Sequence, residues 1–101
     1  MLDNHLVLAG VVRDSPQTRY TPAGIPITSF YLQHRSVQQE AGHTREAVCT
    51  LQVLISGESL QEKVQGLEQG SNIRISGFIC RANCRQGEYR LVLHGQHIEI
   101  I

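Results

Sequence analysis

A chain of 101 residues with 41% hydrophobic side chains is expected to form one domain, residues 1–101, whose small core makes a second subunit a natural source of further burial. No apolar run approaches the roughly 20 residues of a membrane span, and MLDNHLVLAG has no basic segment ahead of its apolar stretch, so a soluble, unexported protein is expected. Three cysteines argue against a disulfide framework and for a reducing cytoplasm, while nine Lys plus Arg against nine Asp plus Glu leave no net charge to attract an acidic partner in bulk.

LVLAGVVR, residues 6–13, reads as a first strand that is apolar on both faces, the pattern of two-sided burial. Gly10 in its middle marks a bulge or a close backbone approach. RYTPAGIPITSF, 19–30, then sets Pro22, Gly24 and Pro26 at alternate positions, which no helix interior tolerates. This loop leads into a second strand, ITSFYLQHR at 27–35. Alternation places Phe30 and Leu32 on one face and Ser29, Tyr31, Gln33 and Arg35 on the other.

SVQQEAGHTRE, 36–46, is polar, contains Gly42 and reads as a long loop. AVCTLQVLI, 47–55, is the third strand, with Ala47, Cys49, Leu51, Val53 and Ile55 expected inward and Val48, Thr50 and Gln52 outward. A helix follows. Ser59 with Glu62 three residues later has the capping-box pattern, Leu60, Val64 and Leu67 share a helical face, and Gly70 is placed to end it. NIRISGFICR, 72–81, is strand four, with Ile73, Ile75 and Ile79 inward. ANCRQGE turns on Gly87, and YRLVLHGQHIEII, from 89 onward, is strand five. A bulge is expected at Gly95, shifting the inward set from Leu91 and Leu93 to Ile98 and Ile100.

Five strands with one short helix between the third and fourth is the element order of an all-β OB-fold barrel. That fold takes oligonucleotides on the face of its second and third strands, between the loops after strands one and four. The assignment gathers Tyr31, Arg35 and Val48 on that face. The first loop adds Arg19 and Tyr20, and the last hairpin adds Arg81, Arg85, Tyr89 and Arg90. Cations interleaved with aromatics suit single-stranded nucleic acid, because the cations follow phosphates and the rings stack on bases of any sequence. Eight of the nine cations are arginines, the side chain suited to phosphate forks and stacking.

Other chemistries find less support. Cys80 and Cys84 with His94 and His97 imitate a zinc set, but the interval between the pairs is short and the cysteines flank a turn bearing arginine. The acidic residues are scattered, no histidine has an evident nucleophile partner and no Walker-type loop is present. His34 and His94 read as strand residues with local hydrogen bonds. No catalytic site, metal or cofactor is expected.

RYTPAGIPITSF followed by GESLQEKVQGLEQGSNIRISGFI resembles the bacterial single-stranded-DNA-binding (SSB-like) OB-fold family. TPAGIP, LQHRSVQQEAG, ISGE, GSNIRISGFI and LVLHGQHIEII are similar, in order and spacing, to its primosomal replication protein N branch. The resemblance implies a dimeric protein of the bacterial cytoplasm that binds single-stranded DNA in replication restart, with PriA helicase and DnaT as partners. Carried over by position, the DNA-contacting cations fall on Arg19, Arg35, Arg85 and Arg90. A hairpin lysine of the family is Asn83 here, and the stacking tryptophan of its third strand is Val48. The clustered arginines favour a DNA-binding primosome factor. The missing tryptophan and zero net charge favour an OB-fold adaptor for proteins, with weak or vestigial DNA binding.

Overall fold

Six strands and one short helix make up the described residues, 2–82 and 90–101, of a computed structural model. β1 covers Leu6–Val12, β2 Gln17–Tyr20, β3 Pro26–Glu40, β4 His43–Ser56, β5 Asn72–Arg81 and β6 Leu91–Ile100. A 3-10 turn, Glu58–Leu60, runs into α1, Gln61–Gln65. Neighbouring strands follow the order β1-β5-β6-β4-β3, and β1 returns to β3 through Val11↔Gln33 and Val12↔Leu32. These five strands therefore close a barrel, with α1 between β4 and β5. β4 and β6 run parallel over Gln52–Leu54, and the other pairings described are antiparallel. The expected OB-fold is present.

Closure gives every strand one inward face. Phe30, Leu32, Val53, Ile55, Ile73 and Ile75 fill the interior, with Ile79 packed against it, as alternation predicts. β2 is an addition to the expected set. It is a four-residue ribbon outside the ring, paired with Pro26–Ser29 of β3. Buried Thr28 meets Thr18 through their hydroxyls at 2.7 Å, which satisfies a polar group inside the sheet and fixes the ribbon.

Five expectations need correction. Residues 36–46 are not a long loop, because β3 and β4 run on to Glu40 and His43 around Ala41 and Gly42. Both turn residues have positive φ, 51° and 78°, as a two-residue hairpin turn of type I′ requires. A ribbon exposed on both faces carries no apolar alternation, so its polar composition imitates a loop. The β3–β4 ladder, continuous to Glu40↔His43, holds it, and an exposed Arg45–Glu40 ion pair at 2.8 Å adds to it.

Cys49 is exposed, not in the core. It pairs with His34 where the two strands leave the barrel, so inward parity continues with no interior to face. Ser59 makes no capping bond, because Gly57 at φ 101° has already turned the chain and Ser59 lies within the 3-10 turn. The helix ends at Gly66, and Gly70 instead donates its N–H to the Val12 carbonyl at 2.8 Å. Val64 and Leu67 are buried and Leu60 packs on them as expected.

The bulge at Gly95 is real. Ser76 faces His97 while Gly77 faces Gly95, which leaves Gln96 as the extra residue. The inward set is nevertheless Leu93 and Ile98, while Val92, though buried, lies on the opposite face. Leu91 and Ile100 are exposed because they are the first and last residues of β6, at the barrel's rims. Among the described residues no helix is long and apolar enough to cross a membrane.

Candidate nucleic-acid interface

The outward face follows from register. Tyr31 lies opposite Gln52 and Arg35 opposite Val48 on β3 and β4. β6 adds Val92 beside Gln52 and His94 beside Leu54, and β5 adds Cys80 and Phe78 beyond them. Arg19 of β2 pairs with Ile27 and joins the same face. One groove on this face is lined by Arg19, Gln52, Leu54, Cys80, Arg81, Ala82, Arg90, Val92 and His94. Three expected cations, Arg19, Arg81 and Arg90, thus converge from separate parts of the chain. Arg85 and Tyr89 lie outside the described residues.

The opening pair Arg19–Tyr20 is split between the two sides of β2. Successive side chains of a strand point to opposite faces, and Tyr20 pairs with buried Pro26. It is 70% exposed on the other side of β2 from Arg19. Tyr31 is on the expected face, but one face of its ring is covered. The Arg13 guanidinium carbon sits 4.6 Å from the ring centroid, within cation–π range. The Arg13 N–H donates to the Tyr31 carbonyl at 2.9 Å, and the Tyr31 N–H donates to Asp14 Oδ1 at 2.8 Å. Arg13 and Asp14 were not among the expected site residues. Their signal is their position directly after β1, where the closing β1–β3 contact carries them onto β3.

Arg35 and Val48 occupy the far end of the face, in a second groove with His34, Glu46, Val11 and Ile101. Here the charge is compensated, because Arg35 Nη2 meets Glu46 Oε1 at 2.8 Å. Val48, 57% exposed, offers an apolar patch without a ring. His34 has the local bonds expected of it, Nδ1 at 2.6 Å from the Ala9 carbonyl and Nε2 at 2.7 Å from Ser36 Oγ. Ion pairs among the described residues engage Arg35, Arg45 and Arg74, but neither Arg19 nor Arg81. Arg19 and Arg81 of the first groove are therefore outside the ion pairs seen among the described residues.

The cysteine–histidine set divides. The bulge does return His94 and His97 to one face, opposite Phe78 and Ser76. His94 lines the arginine groove, however, and His97 lines a different depression with Lys63 and Arg74. Cys84 lies outside the described residues. Among the described residues no group of three or more His, Cys, Asp or Glu side chains is placed to hold a metal.

Residues 4–97 match a family described as another single-strand binding protein family. The chain is 44% identical over its whole length to the replication restart protein PriB of Serratia proteamaculans, covering 96% of that protein. It is 46% identical, with the same coverage, to the PriB of Photorhabdus laumondii. It belongs to the PriB family of single-strand binding proteins. Among solved structures, PriB from Ralstonia solanacearum superposes with a TM-score of 0.81 at 25% identity, over 99% of this chain and 100% of that one. A Plasmodium falciparum SSB, solved in complex with ssDNA, also reaches 0.81, over 100% of this chain and 97% of its own. At 12% identity that likeness shows the fold alone.

Proposed function

We propose that this chain is a single-stranded-DNA-binding accessory protein of the primosome, acting in replication restart in the bacterial cytoplasm. The observation that carries the reading is the convergence of Arg19, Arg81 and Arg90 on one groove of an OB-fold's outward face. The names of the relatives, replication restart protein and single-strand binding family, support it. PriA helicase and DnaT are the protein partners that the family implies. The proposed role is binding and bridging by a single domain, with no catalytic step, metal or cofactor.

Fluorescence anisotropy with a labelled single-stranded oligonucleotide tests this at low and moderate salt. Binding at low salt that weakens steeply as salt rises is expected, with a matching duplex bound less well. No binding at low salt would overturn it. That outcome would leave the adaptor reading, which the Arg35–Glu46 pair and the ringless Val48 favour at the other end of the face.

The active form is proposed to be an isologous dimer built on β1. β5 takes one edge of β1 over Leu6–Val11, whereas β3 meets the other edge only at Val11 and Val12. Among the described residues no strand pairs the other edge over Leu6–Gly10, and Val7 and Val11 are exposed beside it. A second β1 running antiparallel satisfies that edge and covers those side chains. Sedimentation at micromolar concentration is expected to give twice the 11.3 kDa chain mass. A monomer there refutes the dimer.

A further inference from the structure

We infer that Phe78 and His94 form the base-stacking platform of the arginine groove, with the His94 imidazole as the surface that receives the base. The inference rests on the single-stranded-DNA reading and adds to it the place where bases, as distinct from phosphates, are held.

The two residues are cross-strand partners on β5 and β6, and their rings lie parallel within 3° at a centroid separation of 4.9 Å. Adjacent strands are spaced by about the same distance. The rings therefore stand side by side on the sheet, each turning a flat face toward its neighbour. His94 lines the groove with Arg19, Arg81 and Arg90, whereas Phe78 does not. Phe78 thus backs one face of the imidazole, and on its other side the next strand brings Leu54, which lines the same groove. Both side chains are half-buried. Against the cost of ordering a flexible side chain, a ring already held by a partner is the better receptor.

Among the described residues, the other π surfaces of the expected site are engaged or turned away. Tyr31 is capped by the Arg13 guanidinium, Tyr20 lies across β2, and the chain has no tryptophan. His34 is fixed through both ring nitrogens. Neither ring nitrogen of His94 bonds to another described residue, so the edge of the ring remains open to a base or sugar. A base laid on the imidazole continues the Phe78–His94 stack while its flanking phosphates reach the arginines.

The test compares His94→Ala, His94→Phe and Phe78→Leu on an oligothymidylate and on an abasic sugar-phosphate strand of equal length. On oligothymidylate, His94→Ala is expected to weaken binding about 5- to 150-fold, the range of a base–aromatic stack, without changing the salt slope. Phe78→Leu should weaken it less, and His94→Phe should restore it. On the abasic strand all three should match the parent. An unchanged affinity in His94→Ala, or an equal loss on both strands, overturns the inference. Parent protein that binds neither strand at low salt overturns the DNA-binding reading itself, and parent protein that binds oligothymidylate keeps the two failures apart.

Discussion

Gly77→Ala is expected to remove most of the protein's stability, because no room exists for a single methyl group at that position. A Cβ built there falls on the His94 carbonyl oxygen, with the His94 carbonyl carbon at 2.9 Å and the Gln96 nitrogen at 3.1 Å. All three are backbone atoms of the bulged strand, where Gln96 is the extra residue. Side chains could rotate away, but backbone on β6 can move only by breaking the β5–β6 ladder. Losses above about 4 kcal/mol are rare and mark a specific mechanism of this kind. At roughly 0.05–0.15 kcal/mol per residue, a chain of this size holds only about 5–15 kcal/mol in all. Gly95 provides the contrast. Its added Cβ meets side-chain atoms instead, Ile75 Cδ1 at 2.7 Å and Ile55 Cγ1 at 3.2 Å, so the cost there is overpacking of the core and not a clash with backbone. Urea unfolding followed by far-ultraviolet circular dichroism reads the difference. A Gly77→Ala protein within about 1 kcal/mol of the parent would show that the bulge relaxes, against this account.

The two glycines also show what could be read in advance. Gly10 interrupts an apolar run, so a bulge or a close backbone approach was expected there, and its added Cβ falls on the Gln33 carbonyl, which is the second. Gly77 sits between polar Ser76 and Phe78, where nothing in the local pattern separates a crowded glycine from an ordinary one. The crowding comes from a bulge on another strand. Core positions were legible wherever a strand stays within the barrel, as Phe30, Leu32, Val53 and Ile55 show. The same alternation misplaced Cys49, because parity says which way a side chain points but not whether the barrel is still there.

The site was legible in the same partial way. Arg19, Arg81 and Arg90 come together because element order alone indicates the fold and the fold brings its loops to one face. Sequence adjacency did not reveal that Arg19 and Tyr20 lie on opposite sides of β2, which is too short and polar to show in the pattern. The capping of Tyr31 by Arg13 and the Phe78–His94 stack depend on pairing between distant segments. No local spacing records them.

Replacing Arg19 and Arg81 together by alanine is expected to weaken single-stranded DNA binding about 25-fold at 0.1 M salt. Removing one phosphate-binding cation lowers the salt slope by about 0.7 for single strands, so removing two lowers it by about 1.4. Extrapolated from 1 M, where that contribution vanishes, a slope change of this size gives the stated reduction at 0.1 M. Both side chains are exposed and outside the ion pairs seen among the described residues, so stability should stay within about 0.5 kcal/mol of the parent. Glu46→Gln should act in the opposite direction. It releases Arg35 from its 2.8 Å partner and removes a carboxylate from the face, tightening binding up to about 5-fold at the same salt. Losing an exposed pair of this kind costs at most about 1 kcal/mol. Lys63→Ala is the control, because Lys63 lies with Arg74 and His97 in a depression separate from the arginine groove. Titrations of all three variants across a salt series separate a local groove from a diffuse field. If Lys63→Ala weakens binding as much per charge as the arginine pair, and Glu46→Gln gains no more than its one unit of net charge explains, the strand is held by overall charge and the groove has no special part in it.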